Sequence, residues 1–123
     1  MPDRFTLRAR AHSVRYALRG LRFMLRTQHN AGVHAAATLF ALAAGLLLRI
    51  DRFEWCAVIV VIVAVWTAET LNTAFEALCD VASPEFHPMV ERAKDVAAGA
   101  VLISAIGSTV VGAMVFVPRL IGL

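Results

Sequence analysis

An apolar run from Ala57 to Ala68 passes without a break into Glu69-Thr-Leu-Asn72-Thr-Ala-Phe-Glu76-Ala-Leu-Cys-Asp80. Neither part contains Pro or Gly, so one helix is expected to carry both. At 100° per residue, Glu69, Glu76 and Asp80 fall within about 40° of one another, and Asn72 lies about 60° to one side. Three carboxylates and an amide therefore share one stripe over roughly 16 Å of helix. The apolar half is rich in β-branched residues, which favour strands in water. The composition argues otherwise, because 59% of the chain is hydrophobic and its mean hydropathy is +0.70. The run reads as a membrane helix. Carboxylates on such a helix are costly and point to function.

Around this helix the chain reads as all-α and membrane-integral. Residues 4–26 form an amphipathic helix, in which Leu7, Ala11, Val14, Leu18, Leu21 and Leu25 alternate steps of four and three. Arg8, His12, Arg15, Arg19, Arg22 and Arg26 follow one residue behind on the neighbouring face. Seven of the 12 basic residues, all arginines, lie in this stretch, which has no acid. An apolar face flanked by arginines describes a helix lying in the membrane interface. An ordinary surface helix of a soluble bundle is the alternative. The arginines suit anionic lipid headgroups; nucleic acid is a poor partner for a chain that is otherwise membrane-grade. No cleavable signal peptide is apparent.

Residues 27–34 read as a polar connector in which Gly32 could permit a bend. Three spans are expected, over about 31–49, 53–81 and 89–118. Arg49, Asp51, Arg52 and Glu54 make a polar turn, with Trp55 at its edge as an interfacial aromatic. Pro84 and Pro88 break the chain between the second and third spans, and Pro118 is expected to stop the third. Ala100, Ser104, Ser108 and Gly112 recur every four positions, a close-packing stripe for another membrane helix. Cys56 and Cys79 stand at opposite ends of the second span, more than about 30 Å apart, and read as two buried thiols rather than a disulfide. The N-terminal arginines place that end in the cytoplasm. The 80–95 segment then lies on the same side, and the 49–54 turn and the C-terminus lie outside.

The break between the last two spans folds them antiparallel, so Glu76 and Asp80 can face Lys94 and Asp95. Carboxylates so placed could hold Mg²⁺ as a partner of nucleotide phosphates. Lys94, the only lysine, could neutralise a transferring phosphoryl group. Glu69, deeper on the stripe, is placed to meet the hydroxyl of a lipid headgroup as a general base. The chain has neither GxxxxGK[ST] nor a kinase Gly-rich loop, so soluble phosphoryl-transfer frameworks do not apply.

Glu69 to Asp80 as E-x-L-N-T-A-x-E-x-x-x-D, then His87-Pro88, then Ala93-Lys-Asp-Val-Ala-Ala-Gly-Ala-Val-Leu102, resembles the small prokaryotic diacylglycerol kinase and undecaprenol kinase family. Tyr16, Gly20, Asn30 and His34 extend the resemblance over nearly the whole chain. It implies a homotrimer of three-span subunits in the bacterial inner membrane, each with an N-terminal surface helix and a cytoplasmic active site. It also implies Mg²⁺-dependent transfer of the ATP γ-phosphoryl group to a lipid alcohol. By the resemblance, Glu69 is the general base and Glu76 holds the metal. Asn72, Lys94 and Asp95 organise the phosphates. Asp80, Glu85, His87 and Tyr16 lie toward the nucleotide, and Asn30 and His34 toward the lipid. The family often has a glutamate where this chain has Gln28, whose amide oxygen can ligate metal but brings no charge. His87-Pro88 and Lys94 to Val101 look closer to the undecaprenol branch, with diacylglycerol the other acceptor. Transfer would be direct and in line, with no phosphoenzyme.

Each residue also has a plain structural reading. Glu69 could be a protonated carboxyl bonded to a neighbouring helix, and Asn72 interhelical glue. Glu76, Asp80, Lys94 and Asp95 could form a salt-bridged rim. A non-enzymatic scaffold or a proton-conducting oligomer is the alternative from another class. No ionisable residue lies between Glu54 and Glu69 to continue a proton path.

Overall fold

The structure, a computed structural model, describes residues 4–123. Among these it has helices α1 (Leu7–Thr27), α2 (His29–Leu47), α3 (Arg52–Ala82) and α4 (Pro88–Leu120), and no strand. The last three are long and apolar enough to cross a membrane. Local chemistry sets their ends. Thr6 caps α1, its Oγ1 accepting the Ala9 N–H at 3.1 Å. Asp51 and Glu54 form a capping box at the start of α3, Asp51 Oδ1 accepting the Glu54 N–H at 2.9 Å while Glu54 Oε1 accepts the Asp51 N–H at 3.3 Å. The Glu54 backbone bond is the main cause that holds the Asp51 carboxyl below its ordinary 3.8. His87 caps α4 by accepting the Met89 N–H on Nδ1, and Pro88 fills the first helical position.

Three expectations need correction. The connector is not residues 27–34 but Gln28 alone, whose φ of −97° and ψ of 122° separate α1 from α2. Gly32 is helical, and nothing lies close to where its Cβ would be. Pro118 does not stop α4, which continues to Leu120. A proline in the last turn forfeits one hydrogen bond, and the helix end is otherwise held by Ile121 N–H on Val117 O. Cys79 is buried but Cys56 is exposed. Cys56 falls about 200° around the helix from Val58, on the outward face.

Helix α3 is central. Its buried residues include Val58, Val65, Glu69, Asn72 and Cys79, which step by 7, 4, 3 and 7, the seam of a helix held on one side by its neighbours. It packs mainly along α4. Ser108 Oγ sits 2.7 Å from Ser104 O and 3.3 Å from Val61 O of α3, so the small-residue stripe lets the two backbones approach. At the α2–α3 turn, Ile50, Val58 and Val115 form a core with Trp55, Ile62 and Phe116 around it. The Trp55 ring lies over Gly45, where a Cβ would come within 2.7 Å of Cη2. Arg119 closes the same end. It pairs with Glu54, lies 3.7 Å from Asp51 Oδ2 and donates to Arg49 O at 3.3 Å. Arg49 adopts φ 51°, an uncommon left-handed conformation for a non-glycine residue, at this tight turn.

Most other apolar side chains face outward, among them Leu39, Phe40, Leu46, Ile59, Val63, Leu102 and Ile103. Such a surface requires acyl chains around it. On α1 the apolar residues Leu7, Val14, Leu18 and Leu25 are exposed as well, and Met24 alone is buried. The helix meets the bundle at its C-terminal end and presents its apolar face to the surroundings, as an interfacial helix does.

Candidate active site

The stripe on α3 meets α2 at its deep end. Glu69 has no solvent exposure, and its Oε2 lies 3.1 Å from His34 Nε2. Its Oε1 is buried without a partner. When Glu69 is ionised it only accepts, and the His34 nitrogen facing it is then the donor. The His34 ring stands edge-on to Trp66, with centroids 5.9 Å apart. Trp66 Nε1–H donates to Thr38 Oγ1 at 3.0 Å, and Thr38 Oγ1–H donates to the His34 carbonyl at 2.7 Å. His34 and Thr38 are four apart on α2, and Trp66 and Glu69 three apart on α3, so each pair shares a helix face. The two pairs tie the helices together around Glu69.

One turn along α3, Asn72 Nδ2 lies 3.4 Å from Glu76 Oε1. Gln28 Nε2 donates to Glu76 Oε2 at 3.2 Å, from the break between α1 and α2. Asn72 Oδ1 is buried without a partner. Two amides thus converge on one carboxylate. Which end of each amide faces Glu76 follows from the hydrogen-bond network rather than from the heavy-atom positions alone. Rotating either amide would turn a hard oxygen to the same point.

The shallow end of the stripe meets α4. Asp80 pairs with Lys94, while the bonded partners of Glu76 are Gln28 and Asn72. The acids therefore divide between two neighbours, Glu76 toward the α1–α2 break and Asp80 toward α4. A polar cavity of about 420 Å³ lies beside Lys94, bounded by Asp80, Glu85, His87, Glu91, Lys94 and Asp95. Ser83 Oγ donates to Glu85 O at 3.0 Å and stabilises the connecting loop. His87 uses Nδ1 for its cap, which leaves Nε2–H as a donor. A second cleft, of about 490 Å³, runs between α3 and α4 and is lined mostly by small and apolar residues, among them Ala68, Leu71, Phe75 and Ala100, together with the polar Asn72.

The structure thus brings together Glu69 with His34, Glu76 with Gln28 and Asn72, and Asp80 with Lys94. Tyr16 stands apart, exposed on α1 with the Arg19 guanidinium 5.6 Å from its ring centroid. Asn30 is exposed on the first turn of α2. Thr38 and Trp66 are not reached by sequence reasoning. The signal for Thr38 is a seam on α2, where Ala31, His34, Thr38, Ala41 and Gly45 step by threes and fours, with two polar residues among small ones.

No group of three or more His, Cys, Asp or Glu that could hold a metal occurs among the described residues. The donor chemistry nevertheless fits a hard cation. The Glu76 carboxylate, with the amides of Gln28 and Asn72 turned to present their oxygens, would suit Mg²⁺, which takes few protein ligands and keeps water and phosphate oxygens.

Comparison with known proteins gives a consistent result. The family model for prokaryotic diacylglycerol kinase matches residues 15–116. Undecaprenol kinase of Bacillus subtilis (strain 168) is 37% identical over 105 residues, covering 85% of this chain and 85% of that protein. A diacylglycerol kinase of Synechocystis sp. is 33% identical over 112 residues, 90% of this chain and 64% of that protein. Diacylglycerol kinase of Escherichia coli (strain K12) is 32% identical over 91 residues, 74% and 75% of the two chains.

Proposed function

The chain belongs to the prokaryotic diacylglycerol kinase family and is a membrane lipid kinase; we propose that it moves the γ-phosphoryl group of ATP to undecaprenol. The observation that carries this reading is Glu69, fully buried in a membrane helix, bonded through one oxygen and free at the other. A buried acceptor without a partner is costly and calls for a substrate group to satisfy it. A lipid hydroxyl does so, and in giving its proton to Oε1 it becomes the nucleophile. The hydroxyl oxygen then bonds to the γ-phosphorus as the bond from that phosphorus to the β–γ bridging oxygen breaks, and ADP leaves. No group on the protein is phosphorylated.

Along the same helix, Glu76 with the amide oxygens of Asn72 and Gln28 would hold Mg²⁺, which when bound neutralises phosphate charge. Lys94 and Asp95, with Asp80, Glu85 and His87, would face the phosphates and nucleoside through the polar cavity. Tyr16 on α1 would approach from the surface. Asn30 would flank the acceptor, and His34 stands beside Glu69. Four acids beside a single lysine make that cavity an unfavourable place for bare ATP, which supports a magnesium-bound donor.

The undecaprenol reading draws support from the Bacillus relative and from His87-Pro88 with the Lys94–Val101 run. Diacylglycerol is the second reading, favoured by the names of the other relatives. Arginines crowded on α1 support an inner-membrane protein with a cytoplasmic N-terminus and active site, and the family resemblance supports assembly as a homotrimer. The deciding experiment is ATP-dependent phosphorylation in mixed micelles containing either a polyprenol or diacylglycerol. The reading predicts a kcat/KM at least about 10-fold higher for the polyprenol; a preference for diacylglycerol reverses the assignment, and no ATP use with either lipid ends the kinase reading.

Gln28 offers a separate check. Gln28→Glu replaces a hydrogen-bond donor on Glu76 by a second carboxylate. Without metal the two acids repel; with metal they form a stronger ligand pair. The Mg²⁺ concentration for half-maximal activity is expected to fall about three- to tenfold, read by titrating MgCl₂ at fixed ATP. An unchanged requirement would remove position 28 from the metal.

A further inference from the structure

We propose that His34 is the positioning residue of the general base: its Nε2–H fixes Glu69 Oε2 and leaves Oε1 for the acceptor hydroxyl. The inference rests on the reading of Glu69 as the base, and it assigns His34 to the carboxylate rather than to the lipid.

A glutamate side chain has three rotatable bonds, and one misplaced by about 1 Å loses most of its use as a base. Glu69 is anchored on a single oxygen. The anchor is itself fixed. The His34 ring is braced edge-on by Trp66, and the Trp66 indole is pinned by Thr38, whose hydroxyl returns to the His34 carbonyl. The circuit closes on α2 and α3 and needs no group from elsewhere. Among the described residues, the hydrogen bond from Nε2 is the only one to the Glu69 carboxylate. The buried Oε1 without a partner is left as an acceptor for a substrate group.

The test compares kcat and KM in mixed micelles for His34→Leu, His34→Asn and His34→Gln. A glutamine amide can place N–H where the imidazole Nε2 stands; leucine has no donor and asparagine is too short. His34→Leu and His34→Asn are expected to lower kcat about 100-fold with KM for ATP and lipid changed less than about threefold. His34→Gln should recover kcat to within about fivefold of the parent. Equal loss in all three, or a loss carried by the lipid KM, overturns the assignment, as does full activity in His34→Leu. If leucine prevents folding, the asparagine and glutamine pair still decides. The double variant Glu69→Gln with His34→Asn separates the two readings. If His34 acts through Glu69, the double variant is no slower than Glu69→Gln; an additive loss overturns the positioning role. An active Glu69→Gln instead removes the base reading beneath it.

Discussion

Glu69→Gln is expected to lower kcat about 1,000-fold, the scale of a lost general base, while leaving ATP affinity within about twofold. The substitution keeps the shape of the side chain. Its amide oxygen can still accept the His34 Nε2–H, so the α2–α3 tie survives. What is lost is the capacity to take a proton at the atom that now lacks a partner. Amide NH₂ in place of Oε1 would even present a donor to the acceptor hydroxyl. The measurement pairs turnover in mixed micelles with equilibrium binding of a fluorescent ATP analogue and a thermal melt. Lost turnover with retained binding and melting supports the base. Lost folding would make Glu69 a structural carboxyl, and retained turnover would place the base elsewhere.

Lys94→Ala is expected to reduce kcat by about 100- to 1,000-fold, as when a charge that stabilises a transferring group is removed. The residue is the only lysine of the chain and contacts Asp80 at the mouth of the polar cavity. That pair is substantially exposed, with the Asp80 side chain 66% accessible, and exposed ion pairs contribute little to stability. The melting temperature should therefore stay within about 2 °C of the parent. A stable but inactive protein assigns Lys94 to the chemistry. Near-normal turnover would remove it, and a large drop in melting temperature would make the pair a fold determinant instead. Lys94→Arg adds a finer reading, because it keeps the charge but replaces a compact ammonium by a planar fork; partial activity is the expected result.

The sequence and the structure agree where a physical signal is local. Hydropathy marks the three spans, because each must supply about 20 apolar residues. The polar turn around Asp51 and Glu54 and the break at Pro84 and Pro88 are also short-range signals. The stripe from Glu69 to Asp80 follows from helix geometry alone. The partners of that stripe do not. His34 and Glu69 are 35 positions apart, and Gln28 and Glu76 are 48 apart, so their meeting depends on how α2 rotates against α3. Proximity along the chain favoured Lys94 and Asp95 for both Glu76 and Asp80, and packing gives Lys94 to Asp80 while Glu76 turns to Gln28. Gly32 and Pro118 depart from their expected roles for a related reason. Both are breakers by propensity, but a glycine within an otherwise sound helix and a proline in a last turn are tolerated when packing favours the helix.

The clasp of Arg119 on Glu54, Asp51 and Arg49 has a practical side. It sits about 40 Å along α4 from Lys94. A fluorophore or affinity handle attached just beyond it would sit far from the groups proposed for phosphoryl transfer. Such a handle could report on assembly or immobilise the protein for lipid-exchange assays while the reacting end stays open to nucleotide.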